Sequence, residues 1–332
     1  MAFADIKGQE AAIAFLRNCF GENKLAHAYL FCGPQGVGKR LFALNLAKFL
    51  NCENPLQENG RVLDCCDQCA SCRKIEARSH PDVHWIEPQG RAQTISIDDI
   101  RLVQKEASLK PYEGRYKVFV IARAEDLTEE AANSLLKVLE EPPAGSQILL
   151  TSSDSDGLLP TIISRCQIIK FYPLSLERLL QILLTEYTIQ PQRAKFLSAY
   201  AQGRIGQALL LNEEDAFRQK NLLIDRVSAG SSGGNAQDIF ASKDKQKLET
   251  QLGYLVNWFR DILLSKTGLR EQYLVNSDRL DEIQALAKTY SFAELESSIE
   301  RILRTHRLIE RNVNVKVALE VMREELAQCS TK

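Results

Sequence analysis

A glycine-rich motif near the N-terminus constrains the fold of this chain more than any other feature. The apolar run Tyr29–Cys32 leads into Gly33, Gly36, Gly38 and Lys39, and leucines at helical spacing follow. Strand, glycine loop and helix in this order are typical of a phosphate-binding loop. In such a loop, backbone N–H groups at the helix N-terminus surround a phosphate and the lysine neutralises its charge. The motif therefore predicts an α/β domain with a nucleotide-binding loop.

Further strands and helices alternate along the N-terminal half of the chain. Apolar runs predict strands within 82–88, 118–122 and 146–153, and residues 158–171 predict a short helix followed by a strand. Further helices are predicted over 96–111 and 128–143. This alternation predicts a parallel sheet with helices on both faces. After Pro173 the strand patterns cease and the apolar residues recur with the period of a helix. The second half of the chain is therefore predicted to be all-helical.

The loop lacks the groups that nucleotide hydrolysis requires. Arg40 occupies the position at which a serine or threonine hydroxyl binds Mg²⁺. Ala122 and Arg123 end the strand on which two acidic residues are expected. Glu125 and Asp126 follow, too far along the turn to serve unless a shift of register returns one of them to the site. We predict that ATP and Mg²⁺ are not turned over here. The sequence leaves open whether the loop still binds a nucleotide.

Composition excludes several classes of protein. The 332 residues carry a net charge of −1, which argues against coating nucleic acid by bulk electrostatics. No apolar run is long enough for a membrane span, and the acidic N-terminal segment is unlike a signal peptide. We therefore predict a cytoplasmic protein that does not bind a membrane, in a compartment where thiols stay reduced.

Five of the nine cysteines lie within one insertion, residues 52–72. In a reducing compartment such a cluster favours a metal site over disulfides. Four thiolates around a tetrahedral Zn²⁺ form a closed, structural site. Cys65 could compete for one position, and an iron–sulfur cluster or a redox dithiol is the chemical alternative to zinc. The predicted zinc ligands are Cys52, Cys66, Cys69 and Cys72.

Several segments together resemble a known family. They are DIKGQEAAIAFL, AHAYLFCGPQGVGKR, the CxxCxxC insertion, ARSHPDVHWI, EAANSLLKVLEEPP and LPTIISRC. In this order and spacing they resemble the delta-prime subunits of bacterial DNA polymerase III clamp loaders. The resemblance is specific over residues 1–211 and extends to the C-terminus by length and helicity. The family pattern also favours the four zinc ligands named above over Cys65.

The resemblance implies three domains and a task. The domains are an AAA+ P-loop domain over 1–172, which includes the zinc insertion, a helical lid over 173–211 and a helical collar for oligomerisation over 212–332. The implied task is to help place the sliding clamp on primed DNA, as part of the DNA polymerase III holoenzyme. The implied partners are tau/gamma-like ATPase subunits and a delta subunit in a hetero-pentamer, the sliding clamp, and primed DNA through the complex.

Two further residues gain a role from the resemblance. In the family, the motif Ser164-Arg165-Cys166 presents an arginine finger to ATP that is bound by the neighbouring subunit. Gly206 occupies the position at which active relatives carry a nucleotide-contacting arginine in the lid. The resemblance therefore implies a subunit that acts on a partner's nucleotide through Arg165.

Two other functions remain possible from the sequence. The first is an active AAA+ ATPase subunit of a clamp loader that tolerates Arg40, which predicts ATP turnover by the isolated chain. The second is a zinc-dependent nucleic-acid module on an inactive ATPase fold, which predicts strong, salt-sensitive DNA binding. The net charge of −1 disfavours the second.

Overall fold

The computed structural model describes residues 2–90, 92–229, 240, 244–268, 271–311 and 313–327. The chain divides into two compact units, which are described separately. The N-terminal unit comprises Met1–Leu174 with Arg204–Gln207, and the C-terminal unit comprises Ser175–Gly203 with Ala208–Lys332.

The N-terminal unit is built around a five-stranded parallel sheet. The strand order is β4-β5-β6-β1-β7. A separate antiparallel hairpin, β2–β3, lies in the cysteine-rich insertion. The strands are β1 (Ala28–Cys32), β2 (Leu56–Glu58), β3 (Arg61–Asp64), β4 (Val83–Ile86), β5 (Lys117–Ile121), β6 (Ser146–Ser152) and β7 (Gln167–Lys170).

Six helices accompany this sheet. Serine and threonine side chains cap two of them: Ser96 forms a capping box with Asp99 before α4, and Thr128 accepts the N–H of Ala131 before α5. The helices are α1 (Glu10–Gly21), α2 (Lys39–Asn51), α3 (Ala70–Glu76), α4 (Ile97–Ala107), α5 (Glu129–Glu140) and α6 (Pro160–Ile163).

Both faces of the sheet are buried. β1, β5 and β6 have no exposed residue, and successive side chains of a strand point to opposite faces. Tyr29 and Phe31 pack in one apolar cluster with residues of α1 and α2. Leu30 packs in the other with residues of α4, α5 and α6. The predicted parallel sheet with helices on both faces is therefore confirmed.

The cysteine-rich insertion is anchored to the rest of the N-terminal unit by buried charges. The fully buried ammonium of Lys48, on α2, contacts Asp67 at 2.5 Å and also Glu76. Asp64, at the end of β3, accepts the backbone N–H groups of Phe3 and Ala4 at 3.1 Å. Ionised partners make these bonds stronger than neutral ones, so the insertion has a fixed position against α2 and the N-terminal segment.

The C-terminal unit is helical throughout its described part. Its core includes the aromatic cluster Phe196, Tyr200 and Tyr254 and a buried ion pair between Lys220 and Asp278. The helices are α7 (Leu176–Thr185), α8 (Pro191–Ala201), α9 (Ile205–Glu213), α10 (Ala216–Ala229), α11 (Lys245–Lys266), α12 (Leu280–Thr289), α13 (Phe292–Glu310) and α14 (Val315–Ala327).

The predicted order of elements agrees with the structure, including the all-helical C-terminal half. The subdivision into a lid over 173–211 and a collar over 212–332 stays a prediction. The hairpin β2–β3 is an element that the sequence analysis did not predict. In the described ranges, none of the helices has the length and apolarity that a membrane crossing requires.

Candidate functional site

The glycine loop lies at the carboxyl end of β1 and leads into α2. At Gly33, with φ 152°, an added Cβ atom would lie 2.3 Å from the carbonyl oxygen of Phe171. Gly38 adopts a left-handed conformation with φ 100° and is the residue that caps α2. A side chain would clash at the first position and strain the second. The sequence therefore folds into a loop that exposes backbone at a helix N-terminus, the arrangement that binds phosphate.

Lys39, the first residue of α2, points back into this loop. Its Nζ atom donates hydrogen bonds to the carbonyl oxygens of Pro34, at 2.8 Å, and of Gly33. Burial lowers the pKa of Lys39, and the nearby carboxylate of Glu125 opposes that shift. The cation of the loop is thus bound by the loop's own carbonyl groups.

Arg40 extends towards the end of β4. Its Nη2 atom lies 2.6 Å from Oε1 of Glu87, and Nη1 of Arg78 lies 3.0 Å from the same oxygen. The two guanidinium carbons are 5.8 Å and 4.5 Å from the centre of the Trp85 ring. One carboxylate and one indole therefore hold two cations at this end of the sheet. The sequence analysis did not find Glu87.

Arg123 follows β5 in a left-handed conformation with φ 56°. Its Nε atom lies 2.5 Å from Oδ2 of Asp126, and its backbone N–H donates to Oγ1 of Thr151 at 3.2 Å. Ala122, just before it, is buried. The positions at which a hydrolase carries its two acids hold a methyl group and a cation, and Asp126 is engaged by that cation.

Glu125 lies nearer to the loop than the sequence analysis expected. Its Oε1 atom accepts hydrogen bonds from the backbone N–H of Ser153 at 3.0 Å and from the Ser153 hydroxyl at 2.6 Å. Burial alone would raise the pKa of Glu125, but these bonds outweigh it and lower the pKa. Glu125 is therefore an ionised carboxylate near Lys39.

Gly206 contacts the glycine loop through its backbone within the N-terminal unit. Its N–H donates to the carbonyl oxygen of Gly36 at 2.8 Å. A Cβ atom added at Gly206 would lie 3.0 Å from that oxygen. A side chain here would require the backbone of the loop to move by a few tenths of an ångström, so the absence of a side chain permits this close contact.

Arg165 lies in the turn between α6 and β7. Its Nη1 atom donates to the carbonyl oxygen of Thr161 at 3.0 Å. Its Nη2 atom lies 2.7 Å from Oε1 of Glu140, the last residue of α5. The side chain is 34% exposed, so the guanidinium is held from inside the chain and still reaches solvent. Glu140 is a second residue that the sequence analysis did not find.

Four cysteines of the insertion come together. Their sulfur atoms all lie within 4.8 Å of one another, and the Sγ atoms of Cys52 and Cys66 are 3.5 Å apart. Zn–S bonds of about 2.3 Å in a tetrahedron place sulfur atoms about 3.8 Å apart. The donor set therefore fits a metal ion that prefers four thiolates. The cluster consists of Cys52, Cys66, Cys69 and Cys72.

Backbone N–H groups favour the thiolate form of one member of this cluster, Cys66, whereas burial raises the pKa of Cys52 and of Cys69. Burial raises the pKa of Cys66, but the N–H groups of Gln68 and Cys69 and the neighbouring thiols outweigh burial and lower it to about 7. Cys65 lies outside the group of four; its thiol contacts Cys72 and raises the pKa of that residue. The structure thus gathers the four predicted residues without Cys65.

The strand order, the phosphate-binding loop and the arginine turn define an AAA+ type P-loop protein. The chain also matches two family models: DNA polymerase III, delta subunit, over residues 8–175, and the C-terminal part of that subunit over residues 214–323. The delta-prime subunit of DNA polymerase III from Bacillus subtilis is 31% identical over 320 residues, which cover 94% of each chain. This chain therefore belongs to the delta-prime family of DNA polymerase III subunits. It is a clamp-loader subunit that acts in DNA replication.

Two other comparisons agree with this family. Subunit tau of DNA polymerase III from Salmonella typhimurium is 36% identical over 217 residues, which cover 64% of this chain and 33% of tau. The crystal structure of a gamma subunit-related protein of DNA polymerase III from Thermotoga maritima superposes with a TM-score of 0.54 at 17% identity. That superposition covers 96% of this chain and 99% of the other. At this identity the structural likeness supports the fold alone.

Proposed function

We propose that this chain is a non-hydrolysing clamp-loader subunit that supplies Arg165 to ATP bound by a neighbouring subunit. The position of Arg165 carries the proposal: a partly exposed guanidinium on a hydrogen-bonded turn between α6 and β7. At the chain's own nucleotide site, Arg40 is paired with Glu87, and Arg123 is paired with Asp126. A site that lacks the metal-binding groups cannot organise Mg²⁺ for hydrolysis.

The chemistry assigned to Arg165 is electrostatic. A guanidinium supplied in trans donates N–H groups to the oxygens of the transferring phosphoryl group and stabilises the charge that develops there. Its planar set of donors suits a phosphate better than the single ammonium of a lysine. This chain would therefore contribute to a partner's reaction without turning over a nucleotide itself.

The partners are inferred from the same proposal. A tau/gamma-like ATPase subunit would lie against the turn that carries Arg165. A delta subunit and further ATPase subunits would complete a hetero-pentamer, with the sliding clamp and primed DNA as its substrates. The helices over 212–332 would form the oligomerisation collar and those over 173–211 the lid. A cytoplasmic location follows from replication as the task.

A structural zinc ion is part of the proposal. Cys52, Cys66, Cys69 and Cys72 would hold it, and three of the four are buried. Four protein ligands leave no position for a catalytic water. The metal would contribute folding free energy to the insertion, and no step of the proposed ATP chemistry involves it.

Substitution of Arg165 tests the proposed function. We expect R165A to leave the subunit folded and the complex assembled, because a partly exposed arginine contributes little to the stability of the free chain. Loss of a trans arginine lowers the rate at one ATP site by roughly a thousandfold or more. The total rate falls less, because other sites continue to work. The measurement is clamp- and DNA-stimulated ATPase activity and clamp loading by the reconstituted complex. Unchanged rates with normal assembly would remove Arg165 from the mechanism.

An active ATPase subunit is the second candidate, and one observation favours it. Lys39 remains in the loop, and the ionised carboxylate of Glu125 lies near it. If Glu125 served as the acid of the site, the isolated chain would hydrolyse ATP and K39A would abolish that activity. We expect no turnover above background in either protein, since Glu125 already accepts two hydrogen bonds from Ser153.

A further inference from the structure

The side chain of Arg165 projects from a backbone that is fixed on both sides. In the turn after α6, the N–H groups of Ser164, Arg165 and Cys166 donate to three preceding carbonyl groups at 3.0 to 3.3 Å. Ile162 is fully buried beneath the turn. The backbone at Arg165 is therefore fixed, and the guanidinium moves only by rotation about the side-chain torsions. Contacts at the end of this long, flexible side chain thus determine how the guanidinium is oriented.

Three groups contact that end. The carbonyl oxygen of Thr161 accepts from Nη1 at 3.0 Å, the Ser164 hydroxyl accepts from the same nitrogen at 3.4 Å, and the carboxylate of Glu140 contacts Nη2 at 2.7 Å. A guanidinium has five N–H donors in one plane. The charged contact with Glu140 and the two hydrogen bonds of Nη1 define the orientation of that plane and leave other N–H groups, including Nε–H, for an incoming oxygen.

Helix stability does not explain why a glutamate occupies the last position of α5. After the cap Thr128, α5 begins with Glu129 and Glu130, whose negative charges are favourable at the positive end of the helix dipole. Glu140 is the last residue of the same helix, where the negative end disfavours a carboxylate. The cation of Arg165 offsets this unfavourable charge. The side chain of Glu141, next in the chain, is exposed and has no polar partner among the described residues.

We propose that Glu140 is a positioning residue: it holds the guanidinium of Arg165 in the orientation from which it engages the phosphate of a neighbouring subunit's nucleotide. This inference rests on the proposed function of Arg165. An arginine that is already ordered loses less rotamer freedom when it engages the phosphate. Glu140 therefore acts through Arg165 and does not itself contact the nucleotide.

The test is a double-mutant cycle in the reconstituted complex. The variants are E140Q, E140A, R165A and the two combinations, with E140D as the conservative change and E141Q as the matched loss of charge one residue away. The readouts are kcat and KM for ATP in the clamp- and DNA-stimulated reaction, together with assembly and the Tm of the free subunit. E140Q keeps the size of the side chain, so it retains the fold even if E140A perturbs α5.

We expect E140Q and E140A to lower the rate at the affected site by roughly two- to fivefold, the effect of an exposed ion pair. KM for ATP and assembly should stay unchanged. The Tm should also stay unchanged, because the stability lost with the ion pair is offset by removal of an unfavourable negative charge from the C-terminus of α5. E140D should recover part of the rate, and E141Q should match the unsubstituted protein. In the R165A background the Glu140 substitutions should change nothing further.

Three results would overturn the inference while the proposed function stands. They are a normal rate in both E140Q and E140A when R165A is impaired, a faster rate in either, or an equal loss in the R165A background. A faster rate would mean that Glu140 restrains the arginine rather than orients it. A normal rate in R165A itself would instead refute the proposed function, and the inference with it.

Discussion

Arg40 occupies the position where a nucleotide hydrolase carries a hydroxyl. Its Nη2 atom lies 2.6 Å from Oε1 of Glu87, which holds the guanidinium in place. Glu87 also binds Arg78, so it keeps a cationic partner if Arg40 is removed. The altered motif is therefore part of an ion-pair network that includes the end of β4, and a single reverse substitution does not recreate a hydrolytic site.

We expect R40T to leave the isolated chain without ATPase activity. The new hydroxyl would offer one Mg²⁺ ligand, but Ala122 and Arg123 would still supply no acid. Stability should change by less than about 1 kcal/mol, because the ion pair that is lost is exposed. Steady-state ATP hydrolysis by R40T measures this, with R40T/K39A as the background. Turnover in R40T that the K39A change abolishes would contradict the prediction.

Motif residues could be predicted from the sequence, but their partners could not. The glycines, Lys39 and Arg165 occupy fixed positions in short patterns whose chemistry is known. Glu87 and Glu140 lie far from Arg40 and Arg165 in the sequence and meet them only through the sheet and the end of α5. A carboxylate at a helix C-terminus was the available signal for Glu140, since it contradicts the dipole preference.

At the scale of elements, Asp82 connects β4 to the loop that precedes β5. It is fully buried, and its carboxylate accepts the backbone N–H groups of Tyr112, Glu113 and Gly114 at 2.7 to 2.8 Å. Burial would raise the pKa of Asp82, but the three donors outweigh it and hold the pKa below its usual value of 3.8. The folded protein therefore favours the charged form.

We expect D82N to destabilise the N-terminal unit by about 2 kcal/mol or more, because an amide cannot accept all three bonds and leaves buried N–H groups unpaired. The sign of the pH dependence follows from the lowered pKa. The contribution of Asp82 is complete above about pH 5, well above the unfolded-state pKa, and is lost as the pH falls through the folded-state pKa. Calorimetry from pH 7 to pH 3 should show a smaller acid-induced loss in D82N than in the unsubstituted protein.

The control for D82N is D98N, which removes an exposed carboxylate. D98N should lie within about 1 kcal/mol of the unsubstituted protein at neutral pH. Equal stability of D82N and D98N would show that the loop before β5 does not depend on Asp82.

The hairpin β2–β3 was missed because its strands are short, polar and largely exposed. A signal was nevertheless present. Asn59 and Gly60 both have positive φ, at 49° and 75°, and Asn-Gly is a strong indicator of a tight hairpin turn. The long buried strands were predictable because short continuous apolar runs between helical patterns leave few alternatives. The hairpin has no such pattern, and its position depends on long-range contacts such as those of Asp64 with the N–H groups of Phe3 and Ala4.

At the scale of the whole molecule, the chain divides into two compact units, and the cysteine cluster belongs to the N-terminal unit alone. A ligand that binds only the folded form stabilises the part that binds it. A metal ion bound by this cluster should therefore stabilise the N-terminal unit and leave the C-terminal unit unchanged.

We expect one zinc ion per chain and two responses to its removal. Treatment with a strong chelator, or the C69S change, should lower the melting temperature of the N-terminal unit and leave that of the C-terminal unit within about 2 °C. Elemental analysis measures the zinc content, and calorimetry measures the melting temperatures of the two units. C19S, which removes a thiol outside the cluster, should retain the zinc and both transitions. Iron in place of zinc, or an equal shift of both transitions, would contradict the prediction.

The contact of Trp85 with two arginines also gives the protein an optical reporter. The chain has two tryptophans, and Trp258 belongs to the C-terminal unit. The indole of Trp85 lies 5.8 Å from the guanidinium carbon of Arg40, so a change in the position of Arg40 alters the electric field at the ring. In a W258F background, the emission wavelength of the remaining tryptophan would report whether nucleotide displaces Arg40. The side chain that replaced a metal-binding hydroxyl thus makes the state of the loop readable by fluorescence without a label.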